Sequence, residues 1–179
     1  MRKLIMMSAL ILLSACNFMQ GDKIAVNAPE TLTAKAAVYN SENELVGEIA
    51  FKETGKGVEL TAVLNSLPPG AHAIHLHETG KCDAPSFESA GAHFNPTNKK
   101  HGVENPLGPH AGDLPNIVVD ETGEVQLNLI TADFTLKKGE TTSIFDEDGT
   151  AIVIHEKEDD YKTDPAGNSG ARIACGVIE

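Results

Sequence analysis

Short runs of apolar and β-branched residues recur along this chain at strand length, and nowhere does a helical stripe persist. Thr31 to Tyr39, Leu45 to Phe51, Val58 to Leu64, Ala71 to His77, Ile117 to Val119, Val125 to Ile130, Thr150 to Ile154 and Arg172 to Ile178 are rich in Val, Ile, Leu and Thr. Such residues fit a pleated, half-buried surface, so each run predicts a strand. Between them stand Pro68-Pro69-Gly70, Glu121-Thr122-Gly123 and Asp146-Glu147-Asp148-Gly149, which break regular structure and predict turns. Strands joined by turns predict an all-β antiparallel sandwich or barrel.

Two segments interrupt that rhythm. Residues 78–116 and 156–171 are long and rich in Gly, Pro, Asn and Asp. Structureless connections of that length inside a compact domain are usually functional or disordered. The first contains three histidines and Cys82, whose ligation and cross-linking would hold it in place.

The start of the chain follows neither pattern. Residues 1–15 carry Arg2 and Lys3, then an apolar stretch from Leu4 to Leu13, and end at Leu13-Ser14-Ala15-Cys16. This is the layout of a secretory signal, and its last four residues resemble a bacterial lipobox. In that reading the mature protein begins at a lipidated Cys16, is exported and is anchored to the cell membrane by its acyl chains. The alternative is an ordinary secretory signal in which Cys16 has no role. The apolar stretch is too short to span a bilayer. Residues 16–30 show no periodicity and predict a tether, leaving 31–179 as the single folded domain.

Composition narrows the function. The chain has 179 residues, 41% of them hydrophobic, enough for one domain with a sizeable core. Its formal net charge is −12, and removal of Arg2 and Lys3 with the signal takes the mature chain to −14. Nucleic acid is therefore not an expected partner. An anionic substrate would need a local positive field against this global one. Of three cysteines, lipidation of Cys16 leaves Cys82 and Cys175, and an even pair in an exported protein predicts a disulfide. Chain entropy puts the stabilisation from closing so long a loop at roughly 4 kcal/mol at most. Metal binding by these thiols is the weaker reading, since neither lies in a C-x-x-C pair.

All seven histidines lie between positions 72 and 155. If 72–78, HAIHLHE, is a strand, His75 and His77 point to one face and form a chelating pair suited to copper or zinc. His72 faces the other way and reads as a structural residue beneath them. His93, His101, His110 and Asp113 offer three nitrogens and one carboxylate, a closed tetrahedral set that fits zinc. His155 ends an apolar run, where its side chain can reach a loop and complete the ligand set begun by His75 and His77.

These residues resemble the copper-zinc superoxide dismutase family. HAIHLHE (72–78), SAGAHFNP (89–96), KKHG (99–102), PHAGD (109–113), IHEKEDD (154–160) and GARIACGVI (170–178) match its motifs in order. The resemblance implies an eight-stranded Greek-key β-barrel or sandwich, immunoglobulin-like in architecture, with two functional loops. It implies copper on His75, His77, His93 and His155, and zinc on His93, His101, His110 and Asp113, His93 bridging the two. Asp159 would join His75 to His101, and Arg172 would position the anion beside copper. The implied reaction converts two superoxide anions and two protons into dioxygen and hydrogen peroxide by alternate reduction and oxidation of copper. His93 would pass a proton towards the nascent peroxide, and zinc would stay redox-inert.

Some features depart from the family pattern. Ala73-Ile74 stands where Gly-Phe is common, and the segment between His155 and Arg172 is shorter than in animal enzymes. Lys162 is a weak candidate for substrate steering. Relatives include monomers and homodimers, and the sequence selects neither. Two rival readings remain at this level: a lipid-anchored copper- or zinc-binding protein without turnover, and a zinc-stabilised surface domain.

Overall fold

Alternation decides which side of each strand turns inward. The computed structural model describes residues 31–179, so the predicted signal, Cys16 and the tether lie outside the described residues. In β1 (Thr33–Asn40), Ala34, Ala36 and Val38 are buried while Lys35 and Tyr39 are exposed. The same period places Ile49 and Phe51 of β2 (Leu45–Thr54) and Val58, Leu60 and Leu64 of β3 (Gly57–Leu64) in one core, and a register shift against β1 brings Val46 into it as well. The other strands are β4 (Gly70–His72), β5 (Ile74–His77), β6 (Ile117–Val119), β7 (Val125–Thr131), β8 (Ala151–His155) and β9 (Arg172–Val177). A 3₁₀ turn covers Glu88–Ala90.

The nine strands of the described residues correspond to the eight runs read from the sequence, because the run from Ala71 to His77 is divided. Ala73 donates to Lys157 O and accepts from His155 N, so the chain changes partners there. Before it, β4 pairs with β6; after it, β5 pairs with β8. A strand that switches sheets in this way turns a corner of a curled sheet. The resulting fold is all-β and strand-dominated, with a seven-stranded sheet in the order β5-β8-β9-β1-β2-β3-β7 and the pair β4-β6.

The sheet is buried on both faces where β5 and β8 run. Ile74, Leu76, Ile152 and Ile154 enter the main core, and the intervening residues point outward. All of β5 and β8 is nevertheless buried, because the two long segments cover that outer face. Phe87 and Ala90 of the first segment pack there on Ala151, Val153 and Cys175. The predicted disulfide joins Cys82 to Cys175, with their Cα atoms 5.7 Å apart, and clips that segment to β9.

Candidate metal centre

The outward side of β5 supplies the base of the site. His75 and His77 share this face, as strand geometry requires. Antiparallel pairing of Ile74 with Ile154 brings the end of β8 alongside, and a register shift between Ile154 and His155 re-aims His155. The first long segment lies along the other edge of β5, where Phe94 N donates to Leu76 O at 2.8 Å and Leu76 N donates to Gly112 O at 2.9 Å. Those bonds set His93 opposite His77 and Asp113 opposite His75. Backbone pairing alone thus gathers residues far apart in sequence.

Two sets of side chains result. The facing atoms of His75, His77, His93 and His155 lie within 4.8 Å of one another, as do those of His93, His101, His110 and Asp113. His93 belongs to both. His72 belongs to neither; its Nδ1 lies 2.8 Å from the His155 carbonyl and its Nε2 2.7 Å from that of Pro68, beneath the site as expected.

In the first set each imidazole is oriented by its second nitrogen. His77 Nδ1 donates to Gly91 O at 3.0 Å, His75 Nε2 meets Asp159 Oδ2 at 2.9 Å, and His155 Nδ1 meets Ser169 Oγ at 3.1 Å. This leaves His75 Nδ1, His77 Nε2, His93 Nε2 and His155 Nε2 buried without a partner. Among the described residues only five buried side-chain polar atoms are in that condition, and four of them converge here. Such groups are costly unless something satisfies them. Burial, aided by the neighbouring imidazoles, holds His77, His93 and His155 well below the ordinary histidine range, at about 2, 4 and 3. At neutral pH these are uncharged bases, the form in which imidazole binds copper or zinc.

In the second set three Nδ1 atoms crowd one carboxylate oxygen. Asp113 Oδ1 lies 2.9 Å from His93, 3.0 Å from His101 and 3.2 Å from His110. Its Oδ2 accepts from the backbone of Gly102 and His110, which fixes the carboxylate. Burial opposes its ionisation, but hydrogen bonds from the three histidines outweigh it and keep it below the usual carboxylate range. Burial likewise disfavours charge on His101, yet Asp113 and Asp159 raise it to about 9. A divalent cation can take the place of that proton.

Asp159 links the sets, since its Oδ1 lies 2.9 Å from His101 Nε2 while Oδ2 meets His75. Gly167 packs against this bridge at φ 62°. A Cβ there would run into Asp159 Oδ1 and come within 2.7 Å of His101 Nε2, so no side chain fits.

Arg172 closes one side. Its guanidinium donates at 2.6 Å to Phe87 O and at 2.6 Å to Gly91 O, the carbonyl that also orients His77. Lys162 instead lies 2.6 Å from Glu104, so its charge is spent in joining the two long segments. Lys100 does the same with Asp164, whose Oδ1 accepts from His101 N. Ser169, Asp164 and the Gly91 carbonyl carry no signal in the sequence beyond turn-like composition.

With this geometry in place, a family model described as copper/zinc superoxide dismutase (SODC) matches residues 45–178. The chain belongs to the copper/zinc superoxide dismutase family. As such it is an enzyme acting on superoxide, with copper and zinc as its metals. It is 51% identical over 156 residues to superoxide dismutase [Cu-Zn] 2 of Aquifex aeolicus, covering 87% of this chain and 91% of that one. It is 50% identical to the superoxide dismutase-like protein YojM of Bacillus subtilis, over 79% of this chain and 73% of the relative. A crystal structure of a superoxide dismutase-like protein from Bacillus subtilis aligns at TM-score 0.77 and 49% identity, covering 80% of this dismutase and 96% of that chain. The Cu/Zn superoxide dismutase from Brucella abortus aligns at TM-score 0.65 and 28% identity, covering 84% and 100%.

Proposed function

We propose that superoxide disproportionation in this chain takes place beside His75, His77, His93 and His155, which hold copper, and that His93, His101, His110 and Asp113 hold zinc. The observation that carries this assignment is the convergence of four buried and otherwise unpartnered ring nitrogens. Copper bound there supplies a centre that takes and gives one electron; zinc supplies fixed charge. The chain's own groups do the rest. His93 serves both sets, which requires the loss of both ring protons, and its Nε2 is the atom at which a proton can be received and passed to the product. Asp159 keeps His75 and His101 facing their sets. Arg172, anchored through two carbonyls, attracts the substrate anion and holds it beside the site against the acidic surface.

The fold fits an eight-stranded Greek-key barrel if β4 and β5 count as one bent strand, with the connection from β3 to β4 passing over β7 and β6. The sequence around Cys16 supports export and anchoring by N-terminal lipidation. The intact mass of the chain extracted from membranes, compared with a Cys16→Ser variant, checks this directly. The activity test combines metal analysis with superoxide consumption by the purified protein. One copper and one zinc per chain with fast, cyanide-sensitive turnover is expected. Full metal loading without turnover would leave a metal-binding protein of the same fold and defeat the proposal.

A further inference from the structure

We infer that Asn116 is a positioning residue for the metal centre, acting as a clamp on the main chain that carries Asp159. This rests on the proposed zinc ligands and on the bridging role of Asp159. The bridging carboxylate must meet two imidazoles at once, yet it belongs to a segment with no regular structure. Asn116 supplies what a neighbouring strand would. Its Nδ2 donates to Asp159 O at 2.9 Å, and its Oδ1 accepts from Asp159 N at 2.8 Å. Its own backbone N donates to the Tyr161 hydroxyl at 2.9 Å, while Tyr161 N donates back to Asp159 Oδ1 at 2.7 Å. Asn116 in turn immediately precedes β6 and follows Asp113 by three residues, so its backbone is held by the sheet and by the zinc segment together.

The choice of side chain is chemical. A primary amide offers a donor and an acceptor side by side, which is what one residue of a β ladder offers. Aspartate keeps the acceptor and loses the donor; leucine keeps the shape and loses both. Tyr161 adds a second link, because its carbonyl accepts from Glu104 N and packs where a Cβ on Gly102 would fall. Asp159 is thereby referenced to the zinc segment through Asn116 and Tyr161 as well as through His101.

The test is the rate at which the fully loaded protein releases zinc to a chelator. Removing an outer carboxylate partner of a metal ligand commonly costs ten- to a hundredfold in affinity, so Asn116→Leu should accelerate release by about tenfold and Asn116→Asp by less. In an Asp159→Asn background the same change should add less than about twofold, because groups acting through one another are not additive. Cobalt(II) placed in the zinc site should show shifted visible bands in Asn116→Leu, a change that a purely architectural role would not produce. If Asn116→Leu fails to fold, Tyr161→Phe removes only the hydroxyl and should show a smaller acceleration with the same non-additivity. Wild-type release rates in these variants, or effects that multiply with Asp159→Asn, would overturn the clamp while leaving the ligand assignment intact. Zinc held as tightly after Asp113→Ala as before would overturn both.

Discussion

His155 is the residue on which the reading turns. Without it the outer face of β5 offers a pair of histidines beside a zinc set, and the pair alone is a weak redox site. Its Nε2 completes four bare nitrogens, and its backbone pairs with Ala73 where the strand changes sheets. His155→Ala should therefore cut dismutation by at least about a hundredfold, the upper range for losing even an outer-shell partner, with zinc content unchanged by elemental analysis. Retention of most activity would defeat the assignment. Arg172 acts differently, through charge. Arg172→Ala should lower kcat/KM about tenfold at low salt and flatten its dependence on ionic strength, with both metals retained. An undiminished salt slope would place the steering in other charges. Lys162 is a poor candidate for those, since Glu104 neutralises it.

At the scale of elements, the period-two pattern made the site legible in part. His75 and His77 could be paired from a heptapeptide because strand geometry leaves no other arrangement, and His72 could be set apart for the same reason. The motifs of the long segments named His93, His101, His110 and Asp113 as a group. What could not be read was how such segments hold still: Gly91 acts through its carbonyl, and Asn116, Ser169 and Asp164 sit in stretches that look like any turn. Backbone acceptors leave no mark on the side-chain alphabet. The division of the run at Ala73 was equally hidden, since it follows from the partners of the flanking strands. Two of the fastenings of the segment 78–116 are the disulfide and Asp113. Asp113→Ala should release zinc and leave the bases of the second set without their shared acceptor, costing about 3 kcal/mol or more in denaturant unfolding. Replacing both Cys82 and Cys175 by Ala should cost up to about 4 kcal/mol and also impair turnover, because Arg172 is held by carbonyls of the clipped segment. A double variant with unchanged unfolding and activity would show that packing of Phe87 and Ala90 suffices.

For the molecule as a whole, the buried histidines make opposite demands on pH. Burial holds His77, His93 and His155 at about 2, 4 and 3, whereas in an unfolded chain each would titrate near the ordinary histidine value. Between those limits the unfolded state binds protons that the folded state refuses, so stability of the metal-free protein falls as pH drops below about 6.5. Each such histidine contributes at most about 1.4 kcal/mol per pH unit. Asp113 and Asp159, both depressed, add stability above the ordinary carboxylate range and lose it only in stronger acid. His101 has the opposite sign: raised to about 9, it stabilises fully below 6.5 and loses that contribution as pH rises through 9. The chain's formal charge of −12 works against the acid effect, because protonation relieves self-repulsion. At about 0.15 M salt the screening length is near 8 Å, which weakens surface repulsion far more than the buried terms. Under that condition the disulfide-intact, metal-free protein should unfold at lower denaturant at pH 5 than at pH 7, and again at pH 10. Copper and zinc, competing with protons for the same nitrogens, should widen the stable range on the acid side. A flat profile from pH 7 to pH 5 in the metal-free protein would mean that His77, His93 and His155 are not held as uncharged bases, and the physical case for a preformed metal site would fail with it.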